Sequence, residues 1–461
     1  MKTLTRKVEY LGILPLLASF SFLPDSNAQF YRDYIESSNQ TYTDASGIYF
    51  NAGWKSTNDT VNSSALYLQN STDEKSVNYE IESLTLSQPT SLRVNYGANA
   101  TISNSELTLN DRIYVQSGSS YDPSVLLLKN CTTTFVSSSM SQIKNGSSLI
   151  VEGGSFTVSQ AGEEMQNISV NQGSSLVFRN ANVDFTGITL QTNTDSSFKD
   201  KSATITIDNS TFKTGFVDMY GYTSSGALPV INVTNGSNFT GSFFKQEEGY
   251  YFDGKDFVYG TITTYARGGT INVSGANTVF NVSDGIKQQE DSSSGQVYTT
   301  VLNISDGGKA NVSGALDIST VSVDSASLSA DSIVVGAGRS MSVVGASSIE
   351  ADLLSVHEGS TVALDGAATL DIAALEVILS STELQTGTEF NLSDIFGDDA
   401  SIVLAAVNNN VSMSDAEGNK FAAIVSGDGT ITAGAAVPEP AACAALFGAF
   451  ALGFAAWRRR G

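Results

Sequence analysis

Histidine is almost missing from this chain: His357 is the only one among 461 residues. A histidine-based metal site or a Ser-His-Asp triad has next to nothing to be built from. Cysteine is nearly as scarce, with Cys131 in the body and Cys443 in an apolar C-terminal stretch. Two thiols in such different surroundings argue against a disulfide, so stability must come from packing and hydrogen bonds. Basic residues number 24 against 47 acidic, a formal charge of −23. Loss of residues 1–28 would make it −24, and further loss of everything after Pro440 would make it −27. So acidic a surface repels phosphate backbones, which argues against nucleic acid as a partner. It also holds neighbouring polymers and surface proteins apart and leaves divalent cations as weak, delocalised partners. Local motifs for cofactors are missing too. No Gly-Gly-x-Gly-x-Asp calcium nonapeptide occurs, Asp306-Gly-Gly308 being only a fragment, and Gly336-Ala-Gly338 belongs to a repeat turn, not to a phosphate-cradling loop. No cofactor and no metal is expected.

Charged residues make up only 15% of the chain and hydrophobic residues 41%, the latter in short alternating runs. That composition is unlike a disordered chain and favours an all-β protein with many polar turns. Imperfect repeats sharpen the expectation. Gly-Ser-Ser stands at 118–120, 146–148 and 173–175, spacings of 28 and 27. Gly338-Arg-Ser-Met-Ser-Val-Val-Gly345 matches Gly359-Ser-Thr-Val-Ala-Leu-Asp-Gly366 at a shift of 21, and Gly308 to Gly314 is a looser relative. Thr204-Ile-Thr-Ile-Asp, Ile231-Asn-Val-Thr, Ile271-Asn-Val-Ser and Leu302-Asn-Ile-Ser repeat one two-residue alternation. On a strand such alternation sends Ile, Val and Leu to one side and Ser, Thr and Asn to the other. Repeats of 20–50 residues point to stacked architectures that share one apolar interior. The expected fold is therefore a right-handed parallel β-helix (β-solenoid), with Gly and Asn taking the left-handed corners. Circuits of this length predict roughly 13–16 turns and a rod of about 60–75 Å. A β-sandwich array is the main alternative, and would show turn signals at a steadier ~8–12-residue spacing.

The two ends carry the most specific signals. Lys2, Arg6 and Lys7, then a short apolar stretch from Leu11, then Ser26-Asn27-Ala28 make the three parts of a secretory signal peptide over 1–28. Signal peptidase is expected to cut between Ala28 and Gln29; an uncleaved anchor is the alternative. At the other end Pro438-Glu439-Pro440 precedes an uncharged apolar run over 441–457, closed by Trp457 and by Arg458, Arg459 and Arg460. As a helix the run covers roughly 25 Å, a little under a hydrocarbon core. It is read as a transmembrane helix with the arginines as a cytoplasmic stop signal and the body outside. The prolines keep the junction extended and accessible.

Motif, apolar helix and basic end, in that order at the C-terminus, resemble the PEP-CTERM sorting signal of Gram-negative bacteria. The resemblance covers Val437 to Arg460 and implies processing by exosortase, an integral-membrane cysteine-protease-like enzyme, with release or transfer to the envelope or an extracellular matrix. An ordinary single-span anchor is the alternative. It says nothing about what the body does.

Domain boundaries follow: signal peptide 1–28, an aromatic-rich N-terminal cap 29–80, a β-solenoid 81–379 with an irregular insertion 216–269, a β-rich C-terminal cap 380–433, and linker plus sorting tail 434–461. Repeats, caps and acidity look like autotransporter adhesin passengers, without the string of ~10-residue amphipathic strands that would build a C-terminal barrel. The insertion gathers aromatics and acids, and Tyr250, Tyr251 and Tyr259 are candidate glycan contacts, since aromatic faces stack on sugar rings. A long insertion with its own apolar cluster is the plainer reading. Glu163-Glu164 is read as a solvated turn, and His357 beside Glu358 as a solvated corner. The many Asn-x-Ser/Thr triplets, at Asn62, Asn99, Asn232, Asn272 and Asn303 among others, are read as turn and outward strand composition. The leading expectation is a non-enzymatic structural or adhesin-like surface protein. The rivals are an enzyme acting on extracellular polysaccharide through 216–269 and an adhesin-like toxin.

Overall fold

A computed structural model describes residues 30–437, except 33, 46, 73, 89, 110–111, 119, 137–139, 159–166, 172, 192–200, 222–226, 244, 253–256, 265, 289–297, 366 and 409. The described chain is all-β apart from three short helical turns near its end. Its strands stack into three parallel columns, and the chain passes through the columns in the same order again and again. In the first column Ile35–Ser38 pairs with Trp54–Thr57, that strand with Val77–Glu82, and so on to Thr361–Leu364. Fourteen strands lie in this column among the described residues. Thirteen steps of ~4.8 Å make the stack roughly 60 Å long.

Several of the repeats found in the sequence fall into register. The spacing of 28 does not, since Ser148 lies opposite Val125 and not Ser120. Nor does the looser Gly308–Gly314 match, which lies in the second column while Ser340–Val344 lies in the first. Ser148 lies opposite Ser175, and their hydroxyls are 2.7 Å apart. Ser340 lies opposite Thr361, the 21-residue match. Ile205, Ile231, Ile271 and Leu302 occupy one row. One residue on, Asn232, Asn272 and Asn303 form an outward ladder in which each side-chain amide donates to the carbonyl oxygen of the one before, at 2.9 Å both times. Asn238, Asn281 and Asn311 repeat it at 3.3 and 2.8 Å. Stacked identical amides satisfy each other, which is why asparagine rather than leucine recurs at these positions.

The interior is a continuous column of apolar side chains. Phe135, Phe156, Phe178, Phe212, Phe239 and Phe280 touch in succession with ring centroids 4.7–5.7 Å apart. Each is buried. The corner between the first and second columns needs a left-handed residue, and Asn supplies it at 39, 58, 104, 130, 180, 209 and 235. Inside that corner a serine repeatedly closes the turn of the previous circuit: Ser105 Oγ accepts from Leu84 N at 2.8 Å and Ser210 Oγ from Ala181 N at 3.0 Å. Cys131 takes the serine's place in one circuit and donates to Ile102 O at 3.3 Å. It is a free, buried thiol.

Both ends depart from expectation. Among the described residues of 29–80, parallel pairing already starts at Phe30, opposite Ile48, and no separate cap precedes it. Of the aromatic residues there, Tyr42, Phe50 and Trp54 are buried inside the first circuits, whereas Tyr34 is exposed. Phe50 stacks on Trp54 at 4.1 Å, and Tyr42 meets both edge-on. At the other end the cap is mixed. Ser393–Phe396 and Ala400–Ala406 are helical where strands were expected, followed by antiparallel strands Val411–Ser414, Lys420–Val425 and Thr430–Ala436. Ile395, Phe396, Val403 and Leu404 are buried, and Asp399 accepts from Leu364 N at 3.2 Å. Short helices laid on the last circuit cover its open edge, a role the alternating pattern of a strand cannot fill. No described helix is long and apolar enough to cross a membrane.

Candidate functional site

The residues carrying the sorting and export signals, Ala28, Gln29, Pro438, Glu439, Pro440 and Arg458 to Arg460, lie outside the described residues, as do the apolar run 441–457, Glu163 and Glu164.

The insertion is smaller than its expected bounds of 216–269. Thr211–Tyr220, Val230–Thr234 and Asn238–Gly241 remain in the columns, and Phe239 and Phe243 belong to the common interior. What departs is one antiparallel hairpin, Lys245–Phe252 with Phe257–Thr264, a sheet of its own. Its register sets Tyr250 opposite Tyr259 and Tyr251 opposite Val258. The chain re-enters the columns at Ala266 and Arg267, bridged to Gln288 and Tyr220. Arg267 is fixed there: one terminal nitrogen lies 3.0 Å from both Asp218 carboxylate oxygens, and the guanidinium carbon sits 3.9 Å over the Tyr220 ring. Both partners of that pair are largely buried, so the contact anchors the hairpin's base.

His357 ends the strand Ser348–His357, and its carbonyl oxygen accepts from Ser360 Oγ at 2.6 Å. Beside it the Ser380 hydroxyl and amide both donate to Glu358, holding that carboxyl below its ordinary value. Burial pushes the Cys131 thiol up. Among the described residues no group of three or more His, Cys, Asp or Glu could hold a metal.

Sequence reasoning missed one feature, the outer face of the third column near the N-terminal end. Tyr49, Tyr67, Arg93 and Tyr114 occupy one row of successive circuits, with Gln142 next. Tyr49 and Tyr67 stack at 4.0 Å and 6°, Arg93 sits 5.1 Å from the Tyr67 ring, and the Lys144 ammonium lies 5.7 Å from the Tyr114 ring. Such placement is favourable for a cation. The neighbouring row is Gln69, Asn95 and Gln116. Tyr96 follows, 40% exposed, tilted against Tyr121 at 5.8 Å. These residues are scattered through the sequence at unequal intervals, because circuits differ in length. The recurrence of Tyr two residues before Asn or Gln, at 49, 67 and 114, was the available signal.

Comparison with protein-family models, with curated proteins and with solved structures gave no match to this chain.

Proposed function

We propose that the chain is an exported surface protein of structural or adhesin-like type, whose body is a right-handed parallel β-helix and whose C-terminal tail is a sorting signal. Right-handedness is the expected sense for parallel strands joined by crossovers. In this reading signal peptidase removes residues 1–28, the apolar run 441–457 holds the chain in the membrane, and exosortase acts at Pro438-Glu439-Pro440. The mature protein then resides in the cell envelope or an extracellular matrix.

The observation that carries the reading is the pairing of two unlike signals around one body. A basic, apolar, small-residue leader stands at one end, and a proline-bracketed glutamate, an apolar run and three arginines stand at the other. The body between them is what such a route would deliver. Stacked parallel strands extend in one direction, add reach with each circuit, and repeat the same polar outer positions along their length. Its continuous apolar interior, with a file of touching phenylalanines, supplies stability along the whole stack. The acidic surface keeps neighbouring copies from collapsing together.

The test is substitution of Pro438 and Pro440 by Ala in the expressing bacterium. A helix-compatible junction should leave a full-length, membrane-retained species, seen by immunoblot of membrane and medium fractions. Processing that continues unchanged rules out sorting through this motif.

A further inference from the structure

The three columns differ in the charge they present. Over the circuits from residue 30 to 191, the first and second columns carry Glu36, Asp44, Glu80, Glu82, Glu106, Glu152 and Asp184 on their strands. The third-column strands over the same circuits contain no Asp or Glu at all; they are Phe30–Arg32, Ile48–Phe50, Ala65–Gln69, Ser91–Asn95, Ile113–Gln116, Ser141–Ile143, Asn167–Asn171 and the end of Asn182–Gln191. In a chain with twice as many acids as bases, that is a marked exclusion.

The cations differ in the same way. On the other columns three lysines face a carboxylate of the adjacent circuit, Lys55 with Glu36, Lys129 with Glu152 and Lys213 with Asp184. Arg93 and Lys144 form no ion pair among the described residues and lie over tyrosine rings instead. Tyr49 and Tyr67 line the row with stacked rings. Gln69 and Gln116 flank the buried Asn95 in the amide row. Beside the amide row, Tyr96 and Tyr121 supply a tilted aromatic pair with an exposed ring.

The geometry points to a binding face for a carboxylate-bearing polysaccharide, laid along the stack over the circuits from Tyr49 to Lys144. Hydroxyls and amides in rows suit sugar hydroxyls, the two unpaired cations suit uronate carboxylates, and Tyr96 suits the apolar face of a pyranose. The circuit spacing of ~4.8 Å is close to the length of one pyranose residue, so successive circuits present one polar step per sugar. Elsewhere the acidic surface repels such a polymer, which confines it to this face. The face lies on circuits that precede the hairpin carrying Tyr250 and Tyr259, and does not depend on how the chain is exported.

The test uses the full-length chain in non-ionic detergent and affinity electrophoresis through gels containing polygalacturonate, with dextran as the uncharged control and EDTA present. Retardation by polygalacturonate and not by dextran is expected, weakening as salt rises. The double variant Arg93→Gln, Lys144→Gln should bind about tenfold or more weakly, from the loss of charge-assisted hydrogen bonds. Lys213→Gln, on the second column, should bind like the wild type. No retardation, equal retardation in dextran, or a double variant that binds as the wild type does would each overturn the proposal.

Discussion

Truncation of one ring in the interior column should have a large effect that stays local. Phe156 is fully buried, with centroids 5.1 Å from Phe135, 5.7 Å from Phe178 and 5.7 Å from Phe185. A phenylalanine buries roughly 150–250 Å², and at ~25 cal/mol per Å² the gross transfer term is about 4–6 kcal/mol. Part of this survives in the Cβ that alanine keeps, and part was already buried in the unfolded chain. The expected loss for Phe156→Ala is therefore about 3–5 kcal/mol, and for Phe156→Leu, which refills most of the space, about 1.5 kcal/mol. Circuits contact only their neighbours, so the loss should stay near the substitution. Native-state hydrogen exchange with peptide resolution measures it. Opening free energies should fall in peptides covering Val125–Phe135, Ser148–Val158 and Asn182–Gln191, and stay constant in those covering Thr320–Asp324 and Ser340–Val344. A loss below about 1 kcal/mol, or one spread evenly over the chain, would refute the stacked interior as the source of stability.

Other consequences follow from single residues. Gly154 has φ +73°, and a Cβ there would stand 2.1 Å from the Cys131 carbonyl oxygen, so Gly154→Ala should cost at least about 2 kcal/mol, read as a drop in thermal midpoint. The Cys131 thiol, buried and pushed up in pKa, should resist alkylation at pH 8 in the native protein and react once urea unfolds it, as mapped by mass spectrometry. Glu358, Asp415 and Asp428 are held below their ordinary values, first by the Ser380 side chain, the Asn419 side chain and the Thr430 backbone respectively. Because the native carboxyls bind protons more weakly than the unfolded ones, their contribution is complete above the ordinary carboxylate range and disappears as pH falls through the native values. The C-terminal cap should thus lose protection against exchange below about pH 4.5, and Ser380→Ala should flatten that acid limb at Glu358.

The columns were legible where neighbouring circuits share a turn phrase or an alternation phrase. The Gly-Ser-Ser spacing of 27 became the Ser148–Ser175 register, and the shift of 21 became Ser340 opposite Thr361. The Ile231, Ile271 and Leu302 phrases stacked as their shared alternation implied. Two things were hidden. Ser401 to Ala406 reads as an apolar run that a strand or a helix could use, and only its place over the last circuit decides for helix. The tyrosine and arginine face was hidden for another reason: Tyr49, Tyr67, Arg93 and Tyr114 meet only after circuits of unequal length have been closed. The aromatic cluster of 216–269 was visible because it is contiguous, yet the columns take Phe239 and Phe243 inward and leave the hairpin outside.

The most direct test of the proposed role is mass spectrometry of both termini of the protein recovered from envelope and medium fractions. A mature chain beginning at Gln29 and ending at or near Pro438 to Pro440 is the predicted result. An intact polypeptide from Met1 to Gly461, found free in the cytosol, would contradict it.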